Sequence, residues 1–243
     1  MSKYEILGNK NCFITGATGG LGRCIAMKMA ENKCNLFLTS TSIRKLENLK
    51  KEIESLYGDE IKIYYGHGDL NKINDIKKII SQAREKIHTI DILVNCAGLF
   101  VVKSIFTSNL DDFDTTVNLN IRAPFLFCRE FSEDMIKSRW GRIINIGSSS
   151  AYAGSRDTSL YCASKHALLG FSRALHDELK KSNIRTFCLS PSGLKTEMGK
   201  LIRNQDYDTF INPKEIADYV AFICSFDGEM ISDEIRLNRM VIE

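Results

Sequence analysis

Short β-branched and aromatic runs alternate along this chain with longer segments whose apolar residues recur at helical spacing. The runs predict strands at 12–15, 35–39, 61–65, 91–95, 142–146 and 185–189, and the amphipathic segments predict helices near 21–32, 43–57, 72–88, 110–138 and 160–182. Strands separated by helices need crossover connections, which build a parallel sheet covered on both faces. The pattern therefore predicts an α/β, doubly wound Rossmann fold with a mainly parallel central sheet.

Composition and charge narrow the class of protein. The chain has 243 residues, 44% of them hydrophobic, and no repeat or low-complexity linker divides it, so we expect residues 1–243 to form a single domain. The net charge is only +3, with basic and acidic residues intermixed, which argues against a nucleic-acid partner. The eight cysteines contain no Cys-x-x-Cys pair, so we expect reduced core thiols and no metal site. Since neither a leader-like segment nor a membrane-spanning apolar run is evident, we expect a soluble, cytoplasmic protein with no membrane partner.

A glycine-rich turn follows the first predicted strand. It reads Thr15-Gly16-Ala17-Thr18-Gly19-Gly20-Leu21-Gly22 and leads directly into the first predicted helix. Gly16 suits a tight turn, Gly20 a close approach of backbone to a ligand, and Gly22 close packing of helix on sheet. The helix N-terminus offers N–H groups and the positive end of a dipole to a pyrophosphate. An ordinary βα turn can also be glycine-rich, but the strand before it and the helix after it favour a dinucleotide site.

The end of the second predicted strand bears on the choice between NAD and NADP. A carboxylate there would bind the ribose hydroxyls of NAD and repel the 2′-phosphate of NADP. The chain instead reads Leu38-Thr39-Ser40-Thr41-Ser42, followed by Arg44 and Lys45. Hydroxyl and basic groups suit the phosphate, so we expect NADP to be preferred over NAD. The same hydroxyls also suit the cap of a helix that starts near Ile43.

Tyr161 and Lys165 form the candidate catalytic pair, because a spacing of four residues places them on one face of a helix. A phenol ordinarily titrates at about pH 10, and a neighbouring ammonium lowers that pKa. Tyr161 could then act as general acid in carbonyl reduction and as general base in alcohol oxidation. The serine run 147–150 follows the fifth predicted strand, where its hydroxyls can converge on the same cleft. We expect the buried face of this helix to consist of the other apolar row, Ala163, Ala167, Gly170, Phe171 and Ala174.

These motifs, in this order, resemble the short-chain dehydrogenase/reductase family in its compact single-domain branch, over roughly residues 8 to 225. Asp69-Leu70 resembles the family's adenine-contacting pair, and Asn95-Cys96-Ala97-Gly98 resembles its Asn-Asn-Ala-Gly segment, with Cys96 as a departure. In 191–196, which resembles Pro-Gly-x-x-x-Thr, Ser192 stands where glycine is usual. The resemblance implies cofactor contacts at Gly16, Thr18, Gly20, Leu21, Gly22, Ser40, Thr41, Asp69, Leu70, Asn95, Ala97, Tyr161, Lys165, Leu194 and Thr196.

The resemblance also assigns the catalytic group. Ser148 is the serine at the family's distance before Tyr161, and it would hold the substrate oxygen. Asn120, which precedes an Ala-Pro-Phe segment, would be the fourth member and support Lys165 and a proton relay. The other interpretation of these residues is structural: a cap, a solvated lysine and a helix-breaking asparagine. Taken together they predict an NADP(H)-dependent oxidoreductase that moves a hydride between the nicotinamide and a small-molecule carbonyl or secondary alcohol.

Substrate and assembly are less well defined by the sequence. Residues 197–212 mix apolar and charged side chains and are expected to form a lid, while no acidic or basic trio marks a handle for a carboxylate or phosphate. The stretch 141–148 resembles the branch that reduces 3-oxoacyl thioesters on a carrier protein, and Lys137, Arg139 and Arg142 are candidate carrier contacts unless they are simply solvated. The tail lacks the glycine-rich ending common in that branch, so other carbonyl compounds stay equally open.

The resemblance leaves two alternative functions to consider, and it also implies an oligomeric state. A non-catalytic NADP-binding sensor or scaffold would have the fold without turnover, but the Ser, Tyr and Lys are all present. A sugar-nucleotide epimerase of the extended relatives would need an additional C-terminal domain, and the length argues against it. The family habit of pairing the long helices near 110–138 and 160–182 implies a homodimer or homotetramer.

Overall fold

Strands and helices alternate through the computed structural model, which describes residues 5–203 and 205–240. The ranges predicted as one domain, 1–243, and as a lid, 197–212, thus include residues outside the described part. The strands are β1 (Asn11–Ile14), β2 (Asn35–Ser40), β3 (Ile63–His67), β4 (Ile92–Asn95), β5 (Gly141–Ile146), β6 (Ile184–Pro191) and β7 (Glu234–Leu237). The helices are α1 (Gly20–Glu31), α2 (Ile43–Tyr57), α3 (Ile73–Ile87), α4 (Leu110–Val117), α5 (Ala123–Ser138), α6 (Ser159–Leu179) and α7 (Pro213–Ser225).

The seven strands form one sheet in the order β3-β2-β1-β4-β5-β6-β7. Every neighbouring pair among them is parallel. The chain winds outward from β1 in one direction and from β4 in the other, so the strand order reverses between these two strands. The predicted doubly wound Rossmann fold is confirmed, and its reversal point is where such sheets open a ligand crevice.

Two apolar layers cover the sheet. One layer packs α1, α2 and α7 against one face, and the other packs α3, α5 and the distal part of α6 against the opposite face. Phe13 on β1 anchors the second layer, since its ring stacks on Phe37 at 5.3 Å and contacts Phe127 at 5.0 Å, centre to centre. Buried aromatic rings of this kind contribute much of the core's free energy of folding. The sheet is thus a rigid platform for the loops at its carboxyl edge.

The segment predicted as one helix over 110–138 is interrupted. α4 and α5 are joined by a π-helical turn, Asn118–Arg122, in the middle of which lies Asn120. Such single π-turns within α-helices are frequent at functional sites. Hydrophobic periodicity does not reveal a single inserted residue. The sequence pattern therefore predicts one continuous helix over 110–138.

Two elements near the C-terminus were absent from the predicted set, α7 and β7. α7 packs its apolar face on the first layer, through Ile216, Val220 and Cys224. β7 is short and only partly buried, but it pairs in parallel with β6, with Leu237 opposite Pro191. Because β7 is parallel to β6, the residues that follow it emerge at the carboxyl edge of the sheet.

The buried face predicted for α6 is wrong. Ala163, Ala167, Gly170 and Ala174 are exposed and Phe171 is half-buried, whereas the opposite row meets the sheet, with Tyr161, Lys165, Leu168, Leu169 and Ser172 buried. The reason is that a methyl group gains little from burial, so a row of alanines is a weak signal next to two leucines. The candidate catalytic pair, Tyr161 and Lys165, therefore lies on the buried face and not beside it.

Several further properties concern the described residues only. The eight cysteines are free thiols, most of them in the core. Between residues 5 and 240, with residue 204 left aside, no group of three or more His, Cys, Asp or Glu side chains is placed to hold a metal ion. None of the helices in those ranges combines the length and apolar character needed to cross a membrane.

Candidate active site

A cavity of about 1010 Å³ opens at the carboxyl edge of the sheet, over the point where the strand order reverses. Parallel strands deliver their following loops to this one edge, which is why residues far apart in the chain share the cavity wall. The wall includes predicted residues after six successive strands: Gly16, Gly20, Leu21 and Gly22; Ser40 and Thr41; Asp69 and Leu70; Ala97; Ser148; and Leu194 and Thr196.

The glycine turn after β1 is tight because three of its glycines leave no room for a side chain. Gly16 has φ +64°, and a Cβ there would lie 2.9 Å from the Cα of Ala97. A Cβ on Gly22 would overlap the carbonyl oxygen of Gly16, and one on Gly20 would lie 2.7 Å from Cγ2 of Thr196. The absence of a side chain at Gly20 therefore leaves room for the Thr196 side chain. The sequence alone did not reveal this reason for a glycine at position 20.

The N-terminus of α1 faces this cavity without a cap from its own chain. Its N-cap residue is Gly19, which offers no side-chain acceptor, and the first turn contains no acidic residue. The N–H groups and the positive end of the helix dipole are thus available to an anionic ligand.

The hydroxyls after β2 divide their roles. Ser42 caps α2 by accepting a hydrogen bond from the backbone N–H of Lys45 at 3.4 Å. Ser40 and Thr41 line the cavity, and Ser40 Oγ lies 2.6 Å from Thr18 Oγ1 in a hydrogen bond. The capping interpretation is confirmed for Ser42, and Ser40 and Thr41 stay candidates for contact with the 2′-phosphate.

Tyr161 and Ser148 lie on the same wall of the cavity, and the Ser148 hydroxyl is near enough to the phenol to act on its pKa. The Tyr161 side chain is 8% exposed, and the ring of Phe100 packs edge-on against it at 4.7 Å between centres. Burial raises the pKa of Tyr161, and the neighbouring Ser148 hydroxyl opposes that rise. The phenol therefore keeps its proton at neutral pH, since burial penalises the phenolate.

Lys165 lies one turn along α6, deeper than Tyr161. Its Nζ donates to the carbonyl oxygen of Ile146 at 2.7 Å and is 5.7 Å from the centre of the Tyr161 ring. Burial lowers the pKa of Lys165 to about 8. The predicted lowering of the Tyr161 pKa by Lys165 is absent: burial of the phenol raises this pKa, and Ser148 is the group that opposes the rise.

Asn120 joins two parts of the site from behind. Its side-chain oxygen accepts from the N–H of Leu99 at 2.9 Å, and its amide nitrogen donates to the Leu99 carbonyl and to Ser164 Oγ, each at 3.0 Å. Ser164 in turn donates to the Tyr161 carbonyl at 2.7 Å. Asn120 therefore fastens the loop after β4 to the helix that carries Tyr161. Sequence reasoning missed Ser164, although its place between Tyr161 and Lys165 was a usable signal.

Three of the predicted site residues support the cavity wall without lining it: Thr18, Asn95 and Asn120. Asn95 is buried, and its amide nitrogen donates to Asn145 Oδ1 at 2.8 Å, across from β4 to β5. Thr18 acts through its bond with Ser40. Direct side-chain contact between Asn95 and a cofactor therefore has no support in this geometry, and its place is in the sheet.

The comparisons with known proteins agree with this architecture. The family model of short chain dehydrogenases matches residues 10–207, most of the chain. The chain belongs to the short-chain dehydrogenase/reductase family. It is an oxidoreductase of the class that interconverts CH–OH and C=O groups with a nicotinamide nucleotide.

Individual members of the family are similar over nearly the full length. The 3-oxoacyl-acyl-carrier-protein reductase FabG of Aquifex aeolicus is 31% identical over 238 residues, which cover 94% of this chain and 95% of that protein. The human dehydrogenase/reductase SDR family member 4 is 28% identical over 249 residues, which cover 96% of this chain and 87% of that protein. A metagenomic short-chain oxidoreductase crystallised with NADP is 25% identical, with a TM-score of 0.84 and coverage of 97% of this chain and 99% of the other.

Of the three candidate carrier contacts of this short-chain dehydrogenase/reductase, Arg142 is not placed for that role, and Lys137 and Arg139 stay predictions. Arg142 is fully buried: its guanidinium bonds Asp227 at 2.7 Å and the Cys224 and Phe226 carbonyls. Its prediction as a surface contact is wrong, since it ties β5 to the segment after α7. Lys137 and Arg139 are exposed but precede β5, whereas Ser148 follows it, so the strand's length of roughly 20 Å separates them from the site.

Proposed function

We propose that this short-chain dehydrogenase/reductase transfers a hydride between NADP(H) and a small-molecule ketone or secondary alcohol, with Tyr161 as the general acid and base. The observation that supports the proposal is that Tyr161 and Ser148 share the cavity wall with the glycine turn, with the Ser148 hydroxyl near enough to lower the pKa of the phenol. Two neighbouring O–H groups on one cavity wall are suited to bind one carbonyl oxygen, where negative charge develops during reduction.

The residues around the cavity fit NADP. The uncapped N-terminus of α1 suits the pyrophosphate, and the hydroxyls of Ser40 and Thr41 suit the 2′-phosphate, with no carboxylate beside them at the end of β2. Asp69 and Leu70 are assigned to the adenine, and Leu194 and Thr196 to the nicotinamide. The bound nicotinamide supplies or accepts the hydride.

Each catalytic side chain has a separate task in carbonyl reduction. Ser148 donates a hydrogen bond that holds the substrate oxygen, and Tyr161 passes its phenolic proton to that oxygen. The raised pKa of Tyr161 keeps this proton in place at neutral pH, so the acid is loaded before the substrate arrives. Lys165, with a pKa of about 8, is mostly an ammonium at pH 7 and stabilises the phenolate that is left behind. Asn120 positions α6 through Ser164 and supports the proton supply to Lys165.

The function is tested by Tyr161→Phe, which removes the phenolic proton and retains the ring. We expect kcat for NADPH-dependent ketone reduction to fall by about 10²- to 10⁴-fold, because one positioned proton donor is worth that much. NADPH binding, measured by calorimetry, should be nearly unchanged. Tyr219→Phe is the matched control, since Tyr219 packs on the core outside the cavity. Substantial turnover by the Tyr161 variant would contradict the assignment.

The cofactor preference has its own test. We expect kcat/KM for NADPH to exceed kcat/KM for NADH, because no carboxylate at the end of β2 repels a 2′-phosphate. More efficient use of NADH would refute the preference while leaving the hydride transfer intact.

A 3-oxoacyl thioester is a second substrate candidate, favoured by the similarity to the Aquifex aeolicus reductase. The carbonyl panel for the activity assay therefore includes a 3-oxoacyl thioester beside simple ketones and sugars. The non-catalytic sensor or scaffold has no support from these comparisons, since the two relatives described above are named as a reductase and a dehydrogenase/reductase.

We also propose that the protein forms a homodimer or homotetramer in the cytoplasm. The exposed row of small residues on α6 allows a second helix to approach closely, and Phe113 and Phe125 beside it are 48% and 44% exposed. Light scattering should give a dimeric or tetrameric mass, and a monomer would refute the assembly. Free thiols suit a reducing compartment. Residues 197–212 remain our proposed substrate lid, and Met198, Leu201 and Ile202 already line the cavity.

A further inference from the structure

The cavity wall contains cationic groups that the proposed hydride transfer does not use. Arg203 and Arg239 line it, and within the described ranges neither forms an ion pair. Glu197 on the same wall is already engaged by Lys200 at 2.6 Å. A neutral ketone would give these guanidinium groups no partner.

The other charged groups of the wall are accounted for. Asp157 lies 3.8 Å from Arg156, which is almost fully exposed at the rim. Asp69 follows β3 and accepts hydrogen bonds from the backbone and side chain of Asn71, each at 3.0 Å. Lys165 is committed to the catalytic pair. Arg239 is therefore the half-buried cation on this wall that lacks both a carboxylate among the described residues and an assigned role.

Arg239 is held in a defined position. Its backbone N–H donates to Ser192 Oγ at 3.0 Å, its Nη1 donates to Thr209 Oγ1 at 3.2 Å, and its guanidinium lies 5.3 Å over the ring of Phe210. These contacts restrict the side chain, yet a guanidinium has five N–H donors and only one of them has a described partner. A rigid fork with free donors is suited to an oxyanion, which it can bind through two parallel hydrogen bonds.

Arg239 and Ser192 belong to two segments in which this chain departs from its relatives: Ser192 from the family's motif, and the tail from the branch that reduces 3-oxoacyl thioesters. Ser192 stands where glycine is usual, and Arg239 lies in the tail that lacks the glycine-rich ending. The two departures contact each other: Ser192 accepts from the Arg239 backbone and its own N–H donates to Leu237 at 2.8 Å. The serine hydroxyl thus anchors the tail against the segment assigned to the nicotinamide, and the tail carries a guanidinium to the cavity.

We propose that Arg239 determines substrate specificity by binding an oxyanion, a carboxylate or phosphate group, carried by the carbonyl substrate. The inference rests on the proposed function, since it places the substrate in the cavity with its carbonyl at Tyr161 and Ser148. The half-buried apolar side chains of Phe100 and Ile202 line the same cavity and suit the carbon chain of the substrate. Charge complementarity in a partly desolvated cavity makes the guanidinium discriminate strongly against neutral analogues.

The test uses ketones in matched pairs on the full chain. A series of ω-carboxylated ketones of increasing chain length is assayed with NADPH, each beside its methyl ester, and a second series carries a phosphate in place of the carboxylate. The wild type should prefer the acids of one series, which identifies the oxyanion. Arg239→Ala should lower kcat/KM for the preferred acid by about 10- to 100-fold. The ester should be reduced at an unchanged rate, which also reports that the variant is folded.

Two further variants sharpen the result. Arg239→Lys keeps the charge and loses the planar fork, so its loss should be intermediate. Arg236→Ala is the matched control, because Arg236 lies over the Tyr152 ring at 4.2 Å and outside the cavity wall, and it should change nothing. KM for NADPH and the mass in solution should be the same in all variants.

The outcomes separate this inference from the function on which it rests. Esters reduced as well as acids, or equal losses for both in Arg239→Ala, would overturn the inference and leave the reductase standing. A raised KM for NADPH in Arg239→Ala would also overturn it, by assigning Arg239 to the cofactor. If no ketone is turned over, calorimetry with the carboxylated and the phosphorylated ketones decides: binding that needs Arg239 retains the inference and refutes the proposed ketone reduction, while no binding refutes both.

Discussion

Lys165 is a buried charged residue: its ammonium serves the proposed chemistry, but burying that charge lowers the stability of the fold. Its side chain is 5% exposed, and its only described hydrogen bond goes to the carbonyl oxygen of Ile146. Replacing it by methionine retains most of the volume and removes the charge. Burial lowers the pKa of Lys165 from 10.5 to about 8.

The difference between these two pKa values measures how much the folded state disfavours the charged form of Lys165, relative to the unfolded chain. Multiplied by about 1.4 kcal/mol per pH unit, the shift corresponds to a cost of about 3 kcal/mol. Below pH 8, lysine is protonated in both states, so the full cost is present. Between pH 8 and 10.5 the unfolded chain binds more protons, and the stability of the wild type rises with pH. Above 10.5 both states are neutral and the cost is gone.

The assay is urea unfolding of the wild type and Lys165→Met at a series of pH values from neutral to above 10. Other titrating groups cancel in the difference, and the unpaired Ile146 carbonyl of the variant adds an offset of about 1–3 kcal/mol that does not depend on pH. We expect the wild type to gain about 3 kcal/mol relative to the variant across this range. Lys137→Met, at an exposed lysine, should show no such gain. A flat difference for Lys165→Met would refute the reasoning.

Two further predictions concern the glycine turn and the buried arginine. Gly22→Ala places a Cβ against the backbone of Gly16, so it should lower the stability by about 3 kcal/mol in thermal unfolding and abolish NADPH binding. Gly154→Ala is the control: a Cβ there has no atom within 4 Å, and the stability should change by less than about 0.5 kcal/mol. Asp227→Ala leaves the buried Arg142 guanidinium without its carboxylate and should destabilise the protein by about 2 kcal/mol in urea, at constant activity of the folded fraction; an unchanged midpoint would show that the carbonyl bonds suffice.

Much of the site could be predicted from the chain because its motifs are local. The glycine turn, the serine run and the Tyr-Lys pair each occupy a few consecutive residues next to a strand or helix end, and parallel strands bring all such ends to one edge. The structure places Ser148, Tyr161 and Lys165 on the wall of one cavity, which is the convergence that the pattern predicted, although the helix buries the face that carries the pair. Thr18, Asn95 and Asn120 lie behind the wall, because adjacency to a strand end does not determine where a side chain points.

The sequence by itself determined the alternation of strands and helices, and hence the doubly wound sheet, since periodicity and turn residues act over short distances. Only the tertiary structure decided which face of α6 is buried, that Arg142 is an internal tie, that burial raises the Tyr161 pKa, and that Arg239 reaches the cavity wall. Each of these depends on desolvation and on contacts between residues far apart in the chain, such as Ser192 with Arg239. No local pattern encodes the surroundings of a side chain, so burial, and the charge states that follow from it, emerged only when the chain was folded.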